Sequence, residues 1–403
     1  GAVLASEYID VLDLPAKPSA LARHSPLLDL TRAGSRLVAV GQRGHILYSD
    51  DEGKGWQQAR VPVSSDLNAV VFPTPEQGWA VGGDGVVLHS QDGGTSWQKQ
   101  LDGRQIGGLV STFYAAKAKA EPDNEQWAAL VEEGQRLVEE GADKPLLDVW
   151  FEDDKVGYVV GVFNLILRTQ DGGQSWTPLQ DRTDNPQGLH LNAIARAGDD
   201  LYLVGEQGLL RKWDSGTQRF VSLPSPYDGS FFGLIGRPGE LLIYGLRGHA
   251  YRSTDDGQHW VRLASPLPIS ISTAMQGADE NLGLILRSAD LHSYAFEPSL
   301  IAIARSGAGT NNIPLEDCCR RGIVVFNSPG ANAEAVKEQI LCSLVLSSRD
   351  VLGSIDWVKS LNGRGKDIPA LVEKGKSQFT GPELMGKTLG VIGLGAIGAL
   401  IAN

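Results

Sequence analysis

The chain has 403 residues, 42% of them hydrophobic, and a formal net charge of −12. That length allows two or three domains, and the absence of any run of about 18 apolar residues excludes a helix that spans a membrane. The acidic balance argues against nucleic acid or an anionic membrane surface as the main partner.

The opening residues Gly1 to Ala5 are too short for a signal peptide and read as the remnant of a cleaved one. From there the chain repeats itself. "AVGGDGVVLHSQDGGTSW" (Ala80–Trp97) recurs as "VVGVFNLILRTQDGGQSW" (Val159–Trp176) and "IYGLRGHAYRSTDDGQHW" (Ile243–Trp260). Looser copies are "AVGQRGHILYSDDEGKGW" (Ala39–Trp56) and "LVGEQGLLRKWDSGTQRF" (Leu203–Phe220), with a degraded sixth, "GLILRSADLHSYAF" (Gly283–Phe296). Trp56 and Trp97 lie 41 residues apart, and a period near 40 with short apolar runs predicts one four-stranded propeller blade per repeat. Within S-x-D-G-G-x-x-W, Asp92 and Asp171 can accept backbone N–H groups while the glycines supply positive φ. Trp97 and Trp176 then serve as apolar anchors. This is the Asp-box, a structural device.

An upstream strand precedes each copy: "LLDL" (27–30), "DLNAV" (66–70), "LLDVW" (146–150), "HLNAI" (190–194) and "FFGLI" (231–235). Read as the innermost strand of each blade, these place Asp29, Asn68, Asp148, Asn192 and Gly233 at one position. The first four stand 12, 14, 13 and 13 residues before Gly41, Gly82, Gly161 and Gly205. The expectation is an electronegative, hydrated channel mouth that takes a basic partner segment or an ion. The alternative is that each side chain bonds a neighbouring strand's backbone. A second set, Tyr48, His89, Arg168, Lys212, Arg252 and Arg287, stands just before each Asp-box position and reads as blade-edge residues or further lining of that mouth. Between the second and third copies lies an insertion, 101–144. There Trp127, Leu130, Leu137 and Val138 recur at helical spacing after a start at Pro122-Asp-Asn, and "STFYAAKAKA" supplies a second helix. A helical hairpin of this kind reads as a docking feature or cover.

On these repeats, residues 6–298 resemble the photosystem II stability/assembly factor family and its BNR-repeat bacterial relatives. The segments that carry the likeness are "GQRGHILYSDDEGKGW", "VPVSSDLNAVVFPTPEQGWAVGGDGVVLHSQDGGTSW" and "LLDVWFEDDKVGYVVG". The resemblance implies an all-β, seven-bladed Asp-box propeller, of which six blades are recognisable here, with "SEYIDVL" (6–12) as a strand that closes the ring. It also implies a non-enzymatic assembly factor outside the cytosol, periplasmic or otherwise exported. Its partner would be a protein, a membrane complex or transporter. Sialidases share the Asp-box; Arg168, Arg252 and Arg287 would stand in for their carboxylate-binding triad, but no residue here matches their nucleophile.

Near residue 298 the character of the chain changes. Residues 299–403 carry 11 Lys+Arg against 9 Asp+Glu, whereas the first 298 carry 25 against 39. All three cysteines, Cys318, Cys319 and Cys342, fall in the later part. A cysteine-free body suits an exported protein, and unpaired cysteines suit a reducing cytosol. "AIARSGAGTNNIPLEDCCRRGIVVFNSPGANAEAVKEQIL" and "GPELMGKTLGVIGLGAIGALIAN" resemble D-3-phosphoglycerate dehydrogenase, among the D-2-hydroxyacid dehydrogenases, which are cytoplasmic α/β enzymes. The resemblance makes Arg305, Gly307, Gly309 and Asn312 part of a substrate loop. It makes Gly393, Gly395 and Gly398 the phosphate turn of a Rossmann unit. That family's catalytic arginine, glutamate and histidine follow the turn. The segment is therefore expected to be an incomplete fragment without turnover, with NAD a cofactor only for a complete version. "LIAIAR" (300–305) and "GIVVFN" (322–327) have the β-branched content of blade strands, so residues 299–403 are expected either to supply strands that replace the seventh blade or to hang as a poorly ordered appendage. No metal site and no catalytic residue are predicted.

Overall fold

The computed structural model describes residues 9–263, 271, 273–276, 282–286, 290–293, 296, 300–305, 309–327, 333–392, 398 and 401–402. The chain divides into two units, 1–306 with 310–326, and 327–403 with 307–309.

Among its described residues the first unit holds five four-stranded antiparallel meanders in chain order. Blade 1 is β1 (Leu27–Ala33), β2 (Arg36–Gly41), β3 (Ile46–Ser49) and β4 (Gln57–Gln58). Blade 2 is β5 (Leu67–Val71), β6 (Gly78–Gly82), β7 (Val87–Ser90) and β8 (Gln98–Leu101). Blade 3 is β9 (Leu146–Phe151), β10 (Gly157–Gly161), β11 (Ile166–Thr169) and β12 (Thr177–Pro178). Blade 4 is β13 (Leu191–Ala197), β14 (Asp200–Gly205), β15 (Leu210–Asp214) and β16 (Arg219–Ser222). Blade 5 is β17 (Phe231–Arg237), β18 (Glu240–Gly245), β19 (Ala250–Ser253) and β20 (Val261–Arg262). The innermost strands β1, β5, β9, β13 and β17 pack side by side in that order, as in a β-propeller.

The Asp-box turns form as their chemistry requires. In blade 2 the Ser96 N–H and hydroxyl donate to the two Asp92 carboxylate oxygens at 2.8 and 2.6 Å, and the Gly94 N–H donates to Ser90 Oγ at 2.9 Å. The Trp97 indole N–H closes the turn on the Gly94 carbonyl at 3.1 Å. Trp97 and Trp176 are buried. Blade 3 repeats the carboxylate bonds on Asp171 and blade 5 the backbone one on Asp255, while the buried Trp176 indole N–H of blade 3 has no partner among the described residues. In blades 1, 2, 3 and 5 the second residue of the Gly-Gly pair is glycine at positive φ (Gly53, Gly94, Gly173, Gly257), whereas the first is Glu52 in blade 1 and Asp256 in blade 5.

The insertion is a helical hairpin, α1 (Gly103–Ala120) and α2 (Glu125–Glu140). Asp102 and Gln105 form a capping box on α1, and Asn124 caps α2. Two glycines let the helices close on one another: a Cβ on Gly107 would stand 2.5 Å from the Val138 nitrogen, and one on Gly134 2.4 Å from the Ser111 nitrogen. Trp127 and Leu137 face the core as expected, but Val138 is 56% exposed, because Leu137 takes the inward position of that turn. The buried Tyr114 seats the hairpin on the segment after β12. Its hydroxyl donates to the Asp181 carboxylate at 2.9 Å.

Among the described residues, the sixth copy of the repeat makes no sixth meander. β21 (Thr273–Gln276) and β22 (Leu282–Leu286) are antiparallel, but β22 runs parallel to β23 (Leu300–Arg305), and β24 (Val324–Asn327) follows in the same sheet. A parallel pair needs a crossover rather than a tight turn. Leu291, Phe296, Ile313 and Cys318 form a core with Leu300 and Ile303 beside this sheet, with α3 (Leu315–Arg321) following β23. Residue 298 falls between the second and third of these strands. Of the expected closing strand 6–12, residues 6–8 lie outside the described residues. Ile9–Leu12 forms no strand, and the Asp13 N–H turns back to the Asp10 carbonyl. The second unit contains α4 (Ala333–Ser348), α5 (Val351–Ser360) and α6 (Ile368–Gly375).

Candidate functional site

The strand register corrects the expected alignment of the inner polar residues. Every inner strand carries one extra residue opposite its partner, a β-bulge at Leu28, Asn68, Leu147, Asn192 and Phe232. Asn68 and Asn192 occupy the bulge. Asp29 and Asp148 stand one residue later, in line with Ala69, Ala193 and Gly233. The four therefore form two sets of two.

Each set performs one task. An innermost strand is an edge strand, so its outward N–H and C=O groups lack ladder partners. Asp29 accepts the N–H of Leu30 on its own strand and that of Val70 on β5, both at 2.8 Å. Asp148 does the same for Val149 and for Ile194 on β13, again at 2.8 Å. Leu30, Val70, Val149 and Ile194 are equivalent in register, so two carboxylates cap that N–H in four blades. The amides serve the complementary carbonyl. Asn68 Nδ2 donates to Leu146 O at 2.8 Å and Asn192 Nδ2 to Phe231 O at 2.7 Å. Asp and Asn alternate around blades 1 to 4, each tying its blade to the next. Burial pushes the Asp148 carboxyl up to about 7, and the charge of Asp29 adds to that shift. Burial raises Asp29 as well.

The outer set also sits in register, opposite Val38, Trp79, Tyr158, Tyr202 and Leu242. His89 stacks on Trp79 with ring centroids 4.4 Å apart. The Arg168 guanidinium lies 5.6 Å from the Tyr158 ring, and the Lys212 ammonium 2.6 Å from Asp200. Arg252 pairs with Glu240. Arg168 and Arg252 are thus each held within their own blade, and Arg287 lies outside the described residues. Gly307, Gly393 and Gly395 lie outside them too. Arg305 ends β23, the Asn312 carbonyl accepts the Leu291 N–H at 2.7 Å, Gly309 lies in the loop before it, and Gly398 is helical.

One feature escaped the sequence reading. After each second strand comes a left-handed x-Gly turn: Arg43-Gly44, Asp84-Gly85, Gln207-Gly208 and Arg247-Gly248. Blade 3 has Phe163-Asn164 there, at φ 53° and 60°. A cleft of about 640 Å³ opens beside it, between α2 and the 183–188 segment. The signal was present in "VVGVFNLILR", where aligned repeats read glycine.

Residues 128–265 match the family model described as photosynthesis system II assembly factor YCF48, and residues 272–340 match the catalytic-domain model of D-isomer specific 2-hydroxyacid dehydrogenases. D-3-phosphoglycerate dehydrogenase of Mycobacterium leprae is 34% identical over 122 residues, 30% of this chain and 21% of that protein. The enzyme of the same name from Synechocystis is 37% identical over 101 residues, 25% of this chain and 16% of that protein. The chain thus spans about a fifth of the length of these curated relatives. Among solved structures, YCF48 bound to a D1 peptide is similar at TM-score 0.36 and 16% identity, covering 64% of this chain and 89% of that one. YCF48 from Cyanidioschyzon merolae gives 0.40 and 13%, covering 64% and 92%. Scores and identities this low carry no argument about this chain.

Proposed function

We propose that the blades form a non-enzymatic scaffold that binds a protein partner, at a membrane complex outside the cytosol. The observation that carries this reading is the assembly-factor model's match over 128–265, which takes in α2 and blades 3 to 5. The structure gives it a physical basis, since the inner polar residues lock blade to blade and leave the outer surface to be elaborated. A body without cysteine among its first 298 residues supports export. We propose that the boundary with the dehydrogenase-like part lies between 265 and 272, where the two family matches separate, just before β21 begins the mixed sheet. The test is cross-linking of the intact chain in an envelope fraction, followed by affinity capture. A stable, stoichiometric partner is expected, and recovery of the bait alone overturns the reading. The Asp29→Asn, Asp148→Asn double variant asks whether the inner ring also meets a basic segment of that partner. Unchanged capture and salt dependence, with lowered stability, restricts these residues to tying blades together.

A further inference from the structure

The sequence contains a single Asn-Gly step, Asn362-Gly363, and the fold presents it in a reactive setting. It lies between α5 and α6 of the second unit. The Arg364 N–H donates to the Leu361 carbonyl at 3.1 Å, which closes a turn with Asn362 and Gly363 at its tip. Gly363 runs at φ 83°, as the third position of a type II turn requires. Both tip residues are exposed. The third N–H of such a turn stays outside the hydrogen-bonded ring, and the Gly363 nitrogen has no backbone partner among the described residues. The space around it is open, since a Cβ on Gly363 would meet nothing within 4 Å. The Asn362 side-chain amide is likewise without a hydrogen bond among the described residues.

The asparagines of the blades and the hairpin differ on each count. Asn68 and Asn192 hold carbonyls of the next blade, Asn124 caps α2, and Asn164 and Asn185 bond one another. None of them is followed by glycine. Asp92 and Asp171 do precede glycine, but they are carboxylates held by serine, threonine and backbone donors, with no amine to lose. Around Asn362, in contrast, stand the exposed cations Lys359, Arg364 and Lys366. Nearby positive charge favours both an attacking amide anion and the carboxylate that results.

We propose that Asn362 is a self-modifying site, at which the Gly363 nitrogen converts the asparagine to a mixture of aspartate and isoaspartate. The Gly363 nitrogen bonds to Asn362 Cγ, the Cγ–Nδ2 bond breaks, and ammonia leaves with the Gly363 proton. Water then adds to either carbonyl carbon of the cyclic imide and opens its bond to that nitrogen, which regains a proton. The exchange of ammonia for water adds about 1 Da and one negative charge. The isoaspartyl product is the kind of group that carboxyl methyltransferases modify with S-adenosylmethionine. The test is incubation of the full chain in mildly alkaline buffer, followed by tryptic mapping of peptide 360–364 and methyl transfer from labelled S-adenosylmethionine. Mass gain and label are expected in this peptide at least about tenfold faster than in any other asparagine peptide. Asn362→Gln should remove both, and Gly363→Ala should slow them at least about tenfold, since a Cβ screens the nitrogen. An unchanged rate in either variant overturns the proposal. So does an earlier mass gain at another asparagine. The synthetic peptide 360–364 sets the rate of the step without a fold. A rate in the intact chain below about a tenth of that value means that the fold holds amide and nitrogen apart, and the proposal fails.

Discussion

Asp29 and Asp148 each receive two backbone N–H groups, and a carboxylate can do this because it has acceptors and no donor. An amide in the same place offers one acceptor oxygen and turns an NH2 toward the second N–H. Asp29→Asn should therefore cost about 1–2 kcal/mol, read from denaturant unfolding. Asp148 carries a further signature. Its folded-state pKa is raised to about 7, so the folded protein holds this proton more tightly than the unfolded chain does. Stability should rise as pH falls from 8 toward 5, by at most about 2.5 kcal/mol from this residue, less where partial exposure screens the charge. Melting curves across that range check it, and Asp148→Asn should flatten the rise. These residues could be found in the sequence, but their pairing could not. The bulge adds one residue to each inner strand, and counts of 12 to 14 to the next glycine do not show where that residue sits.

Among elements, the Asp-box turn was the most legible, because its hydrogen bonds are local and its glycine has a stated need. Position two of the Gly-Gly pair runs at φ above 80°, and in blade 2 a Cβ there would also stand 3.1 Å from Val38 Cγ2. Gly94→Ala should cost about 1–3 kcal/mol by thermal melting. Position one is more permissive, and Glu52→Gly, at φ 58°, should raise stability by a few tenths of a kcal/mol up to about 1. The hairpin was legible as two helices but not as a closely packed pair. That depends on Gly107 and Gly134, which a helical periodicity scores only as weak helix formers. Gly134→Leu should separate α1 from α2 and expose the Trp127–Tyr114 stack, seen as a shift in tryptophan fluorescence with the blades' β signal retained. "GLILRS" misled for a different reason: a short apolar run serves an antiparallel blade or a parallel strand equally well, and only its partner at 300–305 decides.

At the scale of the whole chain, the repeat and the dehydrogenase-like stretch were each legible from their own segments. Composition changes near 298, but the mixed sheet already begins at 273. The first blade shows what each later blade receives from the one before. Leu27 and Leu30 are 39% and 55% exposed, whereas their counterparts in blades 2 to 5 are buried. The alternation of Asp and Asn also sets a parity rule on how such an array can change in length. Removing one of blades 2 or 3 would bring like neighbours together, with either two carboxylates aimed at one N–H row or a row left bare. Excising blades 2 and 3 as a pair restores the sequence of donors and acceptors. Blades tied in this way are inherited, lost or duplicated most cheaply in twos.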